Sequence, residues 1–479
     1  MTAAAPFGRA QCYVDGQWST PSGDPAAVVI DPFTEERIGE VAEAGGPLVE
    51  KAALAAAQAQ PGWSGRDLDA RLAVLERAAD ALERDSAVLA ATVTREMGMP
   101  VALARATQAQ LPARVLRAAA QTAREFPWRE VIPGATLLRR PVGVVAAITP
   151  WNMPVYQIVV KLSAALAAGC TVVLKASELT PFDAMHLVGL FESVGCPAGV
   201  LNLVTGTGPV TGRQLVADHR IRHVSFTGSV RGGRQVAALA AAHVARCTLE
   251  LGGKSPSVLL PDADLAPAVR SALASGLVNS GQACNAPARM LVPEAAAGDV
   301  AEILVSEVRQ VAVGDPRDES TRMGPLASAR QRETVLGYVR SAVADGGRLL
   351  AGTGAPSTVS DTGFFVDPTV IAGLPRDARA AREEIFGPVV VVLPYRDEDD
   401  AAALANGTDY GLSAEVYSAD PGHAERFAGR LHCGQVKING VRTRDRSSVP
   451  FGGTGLSGYG RELGALGLAE LTDVTAVMS

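Results

Sequence analysis

From residue 49 to about residue 124, apolar positions recur at spacings of three and four, in alanine-rich stretches such as "EKAALAAAQAQ" and "ARLAVLERAADALERDSAVLAATVTREMG". That period lays an apolar stripe along a helix and predicts packed helices. Ahead of them, "YVDGQW" and "VVIDPFTEERIGEV" read as short strands. The texture changes at "RRPVGVVAAITPWN". From there the β-rich runs "VGVVAAI", "TVVLKAS", "VLNLVTG" and "HVSFTGS" alternate with helical stretches, and each ends near Gly, Ser, Thr or Pro. Strand, turn and helix in that order predict right-handed parallel βαβ units, with ligands at the carboxyl ends of the strands. A second series beyond Gly252, through "SPSVLL", "ARMLVP" and "VVVVLPY", predicts a second α/β domain. The tail "LTDVTAVMS" alternates like a strand that extends a neighbouring sheet, in this chain or in another subunit. Residues 351–363, "AGTGAPSTVSDTG", are composed as a flexible surface loop.

Composition narrows the function classes. A chain of 479 residues, 47% hydrophobic, suffices for two or three domains with large cores. Its net charge of −6 offers no basic face on the scale that a phosphate backbone requires, so nucleic acid is not an expected partner. The opening "MTAAAPFGRA" lacks a charged start followed by an apolar core, and no apolar run nears the roughly 18 residues of a membrane span. The expectation is a cytoplasmic protein without a membrane partner. Cys12, Cys170, Cys196, Cys247, Cys284 and Cys433 lie far apart with no CxxC among them, which argues for reduced thiols and against structural zinc. His219 and His223 stand four apart, but His223 opens the strand-like "HVSF"; both are read as surface or capping histidines, and no metal is expected.

Several short stretches could carry chemistry. In "SGQACNAPAR", Cys284 stands among small and polar neighbours, as a packed core thiol, a disulfide half or a nucleophile; presented at a strand or helix end, its thiolate would be favoured by backbone dipoles and by a cationic cofactor nearby, which would make it a nucleophile. Cys170 and Cys247 have instead the apolar flanks of inert, buried thiols. Glu250 ends the apolar "CTLEL" ahead of "GGKSP", and is either a general base raised by desolvation or a helix-terminal surface charge. In "TPWNMP", Asn152 donates its amide either to an oxyanion or to its own turn. Lys175 and Glu178 of "VVLKASELTP" hold ribose hydroxyls or form an exposed ion pair. Two glycine sets, "GTGPVTG" at 206–212 and "FTGSVRGG" with Gly228 and Gly233, either admit a pyrophosphate to a helix N-terminus or make ordinary turns.

Taken together, "TPWNMP", "KASELTP", "FTGS", "ELGGKSP", "GQAC", "EEIFGPV" and "PFGGTGLSGYGRELG" stand in the order and at the intervals found in the NAD(P)-dependent aldehyde dehydrogenase superfamily. The chain resembles that superfamily over essentially its whole length. The resemblance implies an α/β fold: a discontinuous Rossmann-type NAD-binding domain (1–119 and 142–250), an α/β catalytic domain (251–440) and a small β oligomerisation arm (120–141 and 463–479). Residues 441–462 would return to the cofactor-binding domain. It also implies Cys284 as nucleophile, Asn152 with the Cys284 N–H as oxyanion hole, Glu250 as general base, and Glu462 of "GRELG" as a proton-relay glutamate. On the cofactor side it implies Lys175 and Glu178 at the adenosine ribose, Gly228, Ser229 and Gly233 at the pyrophosphate turn, and Glu384, Phe386 and Trp151 at the nicotinamide end. A carboxylate at Glu178 repels a 2′-phosphate, which favours NAD over NADP.

The implied reaction is oxidation of a small-molecule aldehyde to a carboxylic acid through a hemithioacetal and a thioester, in a homodimer or homotetramer. The chain departs from the pattern at Asn285, at Met153 in place of an aromatic, and in "GGTGLSGYG", which lacks the lysine often found after "PFGG". With Phe451 and Arg444 these positions line or neighbour the expected substrate tunnel. Arg442, Arg444 and Arg446 of "VRTRDRSS" either favour an anionic aldehyde or form a solvated loop. Two other readings stay open: a CoA-acylating dehydrogenase, against which Glu250 speaks, and a catalytically inert NAD-binding protein.

Overall fold

The computed structural model describes residues 7–442 and 446–478. Its first large sheet is built on five parallel strands in the spatial order Leu201–Val204, Thr171–Lys175, Val144–Ile148, Ile221–Thr227 and Arg246–Glu250. The strand earliest in the chain, Val144–Ile148, lies at the centre, so the winding direction reverses between it and Ile221–Thr227. Such a reversal opens a crevice at the carboxyl ends of the strands. Val144–Ile148 and Thr171–Lys175 are buried at every position, which is why they read as continuous apolar runs with no alternation. Cys12–Val14 and Gln17–Ser19 extend one edge, and Gly458–Tyr459 closes the other as an antiparallel partner of Arg246–Glu250.

Helices cover this sheet. Pro154–Ala168 begins with proline, whose missing N–H costs nothing in a first turn, and stops at Gly169 in the left-handed conformation (φ 92°). The predicted alanine-rich helices form as Gly45–Ser64, Leu68–Arg84, Ser86–Met97 and Leu111–Glu125. Leu111, Val115, Leu116 and Ala120 face the core, while Arg117 on the outer side pairs with Asp80 and Glu83. The apolar period thus became burial, and the polar positions became surface ion pairs.

The second large sheet runs Arg348–Ala351, Thr369–Ala372, Val389–Tyr395, Arg289–Pro293, Pro256–Leu259, Ser413–Tyr417 and Gln435–Ile438, parallel except at its first pair. Separate apolar clusters fill its two faces. Residues 352–368 between its first two strands carry no strand or helix, as their composition predicts. A third sheet pairs Thr472–Met478 with Ala135–Pro141, and that with Arg129–Ile132. Arg129–Ile132 is exposed throughout. No helix among the described residues is long and apolar enough to cross a membrane.

Candidate active site

Between Glu250, the last residue of the first sheet's final strand, and Pro256, the first of the second sheet, only five residues intervene. This linker brings the carboxyl edge of one sheet against the amino edge of the other. The glycine pair in it serves close approach. A Cβ on Gly253 would lie 2.8 Å from the carbonyl oxygen of Cys284, and one on Gly252 would lie 2.1 Å from the Glu384 carboxylate. Cys284 and Glu384 each precede a strand of the second sheet, so in that half the candidate residues gather at amino ends, contrary to the carboxyl-end expectation.

The loop before Cys284 is held open by backbone strain. Asn279, Ser280 and Gly281 all adopt left-handed φ values of 51°, 57° and 72°. Two non-glycine residues in that region cost about 1–3 kcal/mol each and persist only where surroundings dictate them. Here the Ser280 hydroxyl donates to the Gly324 carbonyl at 2.8 Å, and the Gln282 side-chain oxygen accepts the Ala327 N–H at 3.0 Å. A Cβ on Gly281 would meet the Gly387 carbonyl oxygen at 2.0 Å. Gly281→Ala is therefore expected to cost roughly 2 kcal/mol or more and to lower the thermal midpoint, as scanning calorimetry would show.

Asn152 and this loop grip each other. The Asn152 side-chain Nδ2 donates to the Gln282 carbonyl at 2.9 Å, and Asn279 Nδ2 donates to the Asn152 carbonyl at 2.9 Å. A side-chain amide has two N–H groups, so one remains to serve a ligand. Both residues, with Cys284, line a cavity of about 690 Å³ whose walls also carry Met153, Asn285 and Phe451. Arg444 lies outside the described residues. Arg442 reaches the cavity, and Arg446 does not line it.

Burial raises the Cys284 thiol to about 12, and the charges of Glu250 and Glu384 add to the rise. The N–H groups of Asn285 and Cys284 oppose it but do not prevail. In the chain by itself, the loss of water and two nearby carboxylates thus outweigh the local dipoles. Glu250 is itself buried at the end of its strand, which removes the surface-charge alternative, and neither of its oxygens has a hydrogen-bond partner among the described residues. Desolvation first, then repulsion from Glu462, hold its carboxyl well above the usual range, against the pull of Lys161 and Arg461.

Glu462 is the anchored member of that pair. Its Oε1 accepts from Lys161 Nζ at 2.6 Å and from the Ser225 hydroxyl at 3.1 Å. Lys161 was missed in the sequence, although a lysine inside the apolar helix "PVYQIVVKLSAALAA" signals a buried partner. Lys254 escaped notice too: burial and the charge of Arg289 lower it to about 7 beside Glu384.

At the first sheet's crevice, Lys175 ends its strand, buried, with Nζ 2.9 Å from the half-exposed carboxylate of Glu178. Gly228 and Ser229 make the turn into helix Val230–Ala241, and Ser229 caps it by accepting the Gly232 N–H. Gly233 lies within that helix, where a Cβ would strike Leu251 at 2.6 Å. The other glycine set starts at Gly206 and forms a π-helical turn over Gly208–Gly212, where Glu43 accepts from Thr207 N–H, Thr207 Oγ1 and Thr211 Oγ1. Trp151 meets Phe386 edge to face at 5.5 Å, and Glu384 Oε1 accepts the Gly253 N–H at 3.0 Å. Burial lifts Glu384 to about 7.

Elsewhere, His223 is neither surface nor cap. It is buried in its strand, Nε2 3.1 Å from Thr248 Oγ1, while His219 is exposed. All six cysteines are free, Cys170 buried and Cys247 only half-buried. No group of His, Cys, Asp and Glu among the described residues is arranged to hold a metal.

Comparison with known proteins agrees with this geometry. Residues 18–477 match the sequence model of the aldehyde dehydrogenase family. A 3-succinoylsemialdehyde-pyridine dehydrogenase from a Pseudomonas species is 42% identical over 468 residues, covering 97% of this chain and 98% of that one. The geranial dehydrogenase of Castellaniella defragrans is 39% identical over 459 residues, 94% of this chain and 95% of its own. Among solved structures, aldehyde dehydrogenase C of Pseudomonas syringae, a cysteine-to-alanine mutant with NAD+ and octanal, superposes with a TM-score of 0.96. It is 39% identical, with 98% of this chain and 96% of that chain covered. An NAD+ complex of a Bacillus cereus aldehyde dehydrogenase gives 0.94 at 34% identity, with 98% and 96% covered. The chain belongs to the aldehyde dehydrogenase family.

Proposed function

We propose that this chain oxidises an aldehyde to a carboxylic acid with NAD, through a covalent intermediate on Cys284. The observation that carries the reading is one cavity that presents a thiol and a side-chain amide with an N–H to spare, next to a buried carboxylate that has no hydrogen-bond partner. Glu250 takes the Cys284 proton, and the sulfur bonds to the aldehyde carbon. The carbonyl oxygen becomes an oxyanion that accepts from Asn152 and from the Cys284 N–H. Bound NAD supplies the acceptor for the hydride lost from that carbon. Glu250 gives up the thiol proton towards solvent and then deprotonates a water, whose oxygen adds to the thioester carbon; the C–S bond breaks, the thiolate leaves and the acid is released. Glu462 and Lys161 hold a proton path behind Glu250.

The residues present suit NAD. Lys175 and Glu178 would hold the adenosine ribose, Gly228, Ser229 and the start of their helix the pyrophosphate, and Glu384 with Phe386 and Trp151 the nicotinamide end. The Glu178 carboxylate would accept from a ribose hydroxyl and repel a phosphate in its place. Glu178→Gln is accordingly expected to narrow the NAD over NADP preference by about tenfold in kcat/KM, read from reduced-cofactor formation with each.

The reading is tested by adding NAD and a panel of aliphatic, aromatic and terpenoid aldehydes to the purified protein, without CoA. NADH formation with release of free acid supports it. Turnover only after CoA is added would sink the hydrolytic step. The division 1–119 with 142–250, 251–440, and 120–141 with 463–479 is offered as the domain plan. The exposed third sheet, with Val131 68% and Met478 82% exposed, is its proposed contact with a second copy in a dimer or tetramer.

A further inference from the structure

We propose that the outer end of the cavity recognises a carboxylate, so that the preferred substrates are aldehydes bearing an acid at the far end of an apolar chain, with Arg442 as the recognition group. The proposal rests on the aldehyde-oxidising reading above.

The cavity lining divides along its length. Near Asn152 and Cys284 stand Met153, Tyr156, Leu277 and Phe451. Helix Leu265–Gly276 then carries the wall away from the Cys284 loop. From Leu277 back to Arg270 the helix rises about 10 Å, at about 1.5 Å per residue. Arg270, its side chain 63% exposed, marks the end open to solvent, and Ser275, Glu307, Arg322, Lys437 and Arg442 line the cavity with it.

The charges there do not balance. Arg270 is matched by Glu307 at 2.9 Å, and Lys437 by the buried Glu415 at 2.8 Å. Glu415 is fully engaged, since it also accepts from Ser275 and from the Tyr417 hydroxyl, each at 2.8 Å. Arg442 has no carboxylate partner among the described residues. It donates to the Ser275 hydroxyl and, at 3.4 Å, to the Ser271 carbonyl, both neutral acceptors. Four cations thus face two carboxylates. A half-buried guanidinium resting on neutral oxygens, at the polar end of an apolar passage, has the forked geometry that a carboxylate fits. Lys437 is already neutralised by Glu415, which leaves Arg442 as the half-buried cation of the lining without a carboxylate among the described residues.

A chain-matched pair of probes isolates the far end: octanal, and the same eight-carbon aldehyde ending in a carboxylate, 8-oxooctanoate. The quantity to read is the ratio of kcat/KM for the acid to that for octanal, in the wild type and in Arg442→Met and Arg442→Lys. The wild type is expected to favour the acid, Arg442→Met to lower the ratio by about 10- to 100-fold, and Arg442→Lys to fall between. Added salt should shrink the wild-type ratio, which keeps the test alive if Arg442→Met does not fold. A ratio unchanged by both substitution and salt, with octanal still oxidised, overturns the carboxylate site and leaves the aldehyde reading intact. Failure of the wild type to oxidise either probe, with NAD and with or without CoA, overturns both.

Discussion

Cys284→Ala is expected to abolish aldehyde oxidation, by at least about a thousandfold in kcat, and to leave NAD binding in place. In the proposed reaction the sulfur is the atom to which the substrate carbon bonds, and among the described residues no second thiol lines the cavity. Alanine has nearly the shape of the thiol without its nucleophile, and the loop is held by Ser280 and Gln282, so the fold should survive. Two measurements check this together: NADH formation from octanal, and titration of tryptophan fluorescence with NAD. Turnover retained in the variant would remove Cys284 from the role. Lost NAD binding would place the defect in folding.

Glu250→Gln is expected to lower turnover by about a hundredfold or more and to change its pH dependence. Only the ionised carboxylate can accept a proton, and desolvation with Glu462 nearby holds Glu250 protonated well above the usual carboxylate range. Wild-type activity should therefore climb as pH rises through that elevated value, helped by ionisation of a thiol lying at about 12 in the free enzyme. Glutamine removes the carboxylate limb. The stability effect has the opposite sense. Because the folded value is raised, the stability linked to this group is complete below its unfolded value and is lost as pH rises through the folded one. Glutamine carries no charge to desolvate, so the variant should be at least as heat-resistant as the wild type at alkaline pH. A variant that kept full activity, or that melted lower as pH rose, would contradict this assignment.

Much of this was legible in the chain. Continuous runs such as "VVAAI" announced strands buried on both faces, and the order of the short motifs pointed to Cys284, Asn152, Glu250 and Glu462, which the fold brings near one another. What could not be read was anything that depends on two distant segments meeting. Lys161 and Ser225 join Glu462 only because the helix Pro154–Ala168, the strand Ile221–Thr227 and the segment at Glu462 converge. The same holds for Arg442 and Ser275, which come together from separate elements to shape the cavity. The direction of the Cys284 shift in the chain by itself was out of reach for a related reason. Backbone dipoles are local and visible in the pattern, whereas the burial and the two carboxylates that outweigh them are not. His223 and Gly233 show the same limit: each makes its decisive contact, with Thr248 and with Leu251, across an element boundary.

The paired hydrogen bonds between the Asn152 turn and the Asn279–Gln282 loop have a bearing on how such a protein diversifies. They lock thiol and amide into one unit drawn from both halves of the chain, so the reacting geometry is finished before any substrate arrives. Almost none of the cavity's outer wall takes part in that lock. Side chains such as Arg270, Val311, Met323 and Arg442 line the cavity outside those bonds, so exchanging one of them is expected to change the range of aldehydes admitted while the thiol and the amide stay in place.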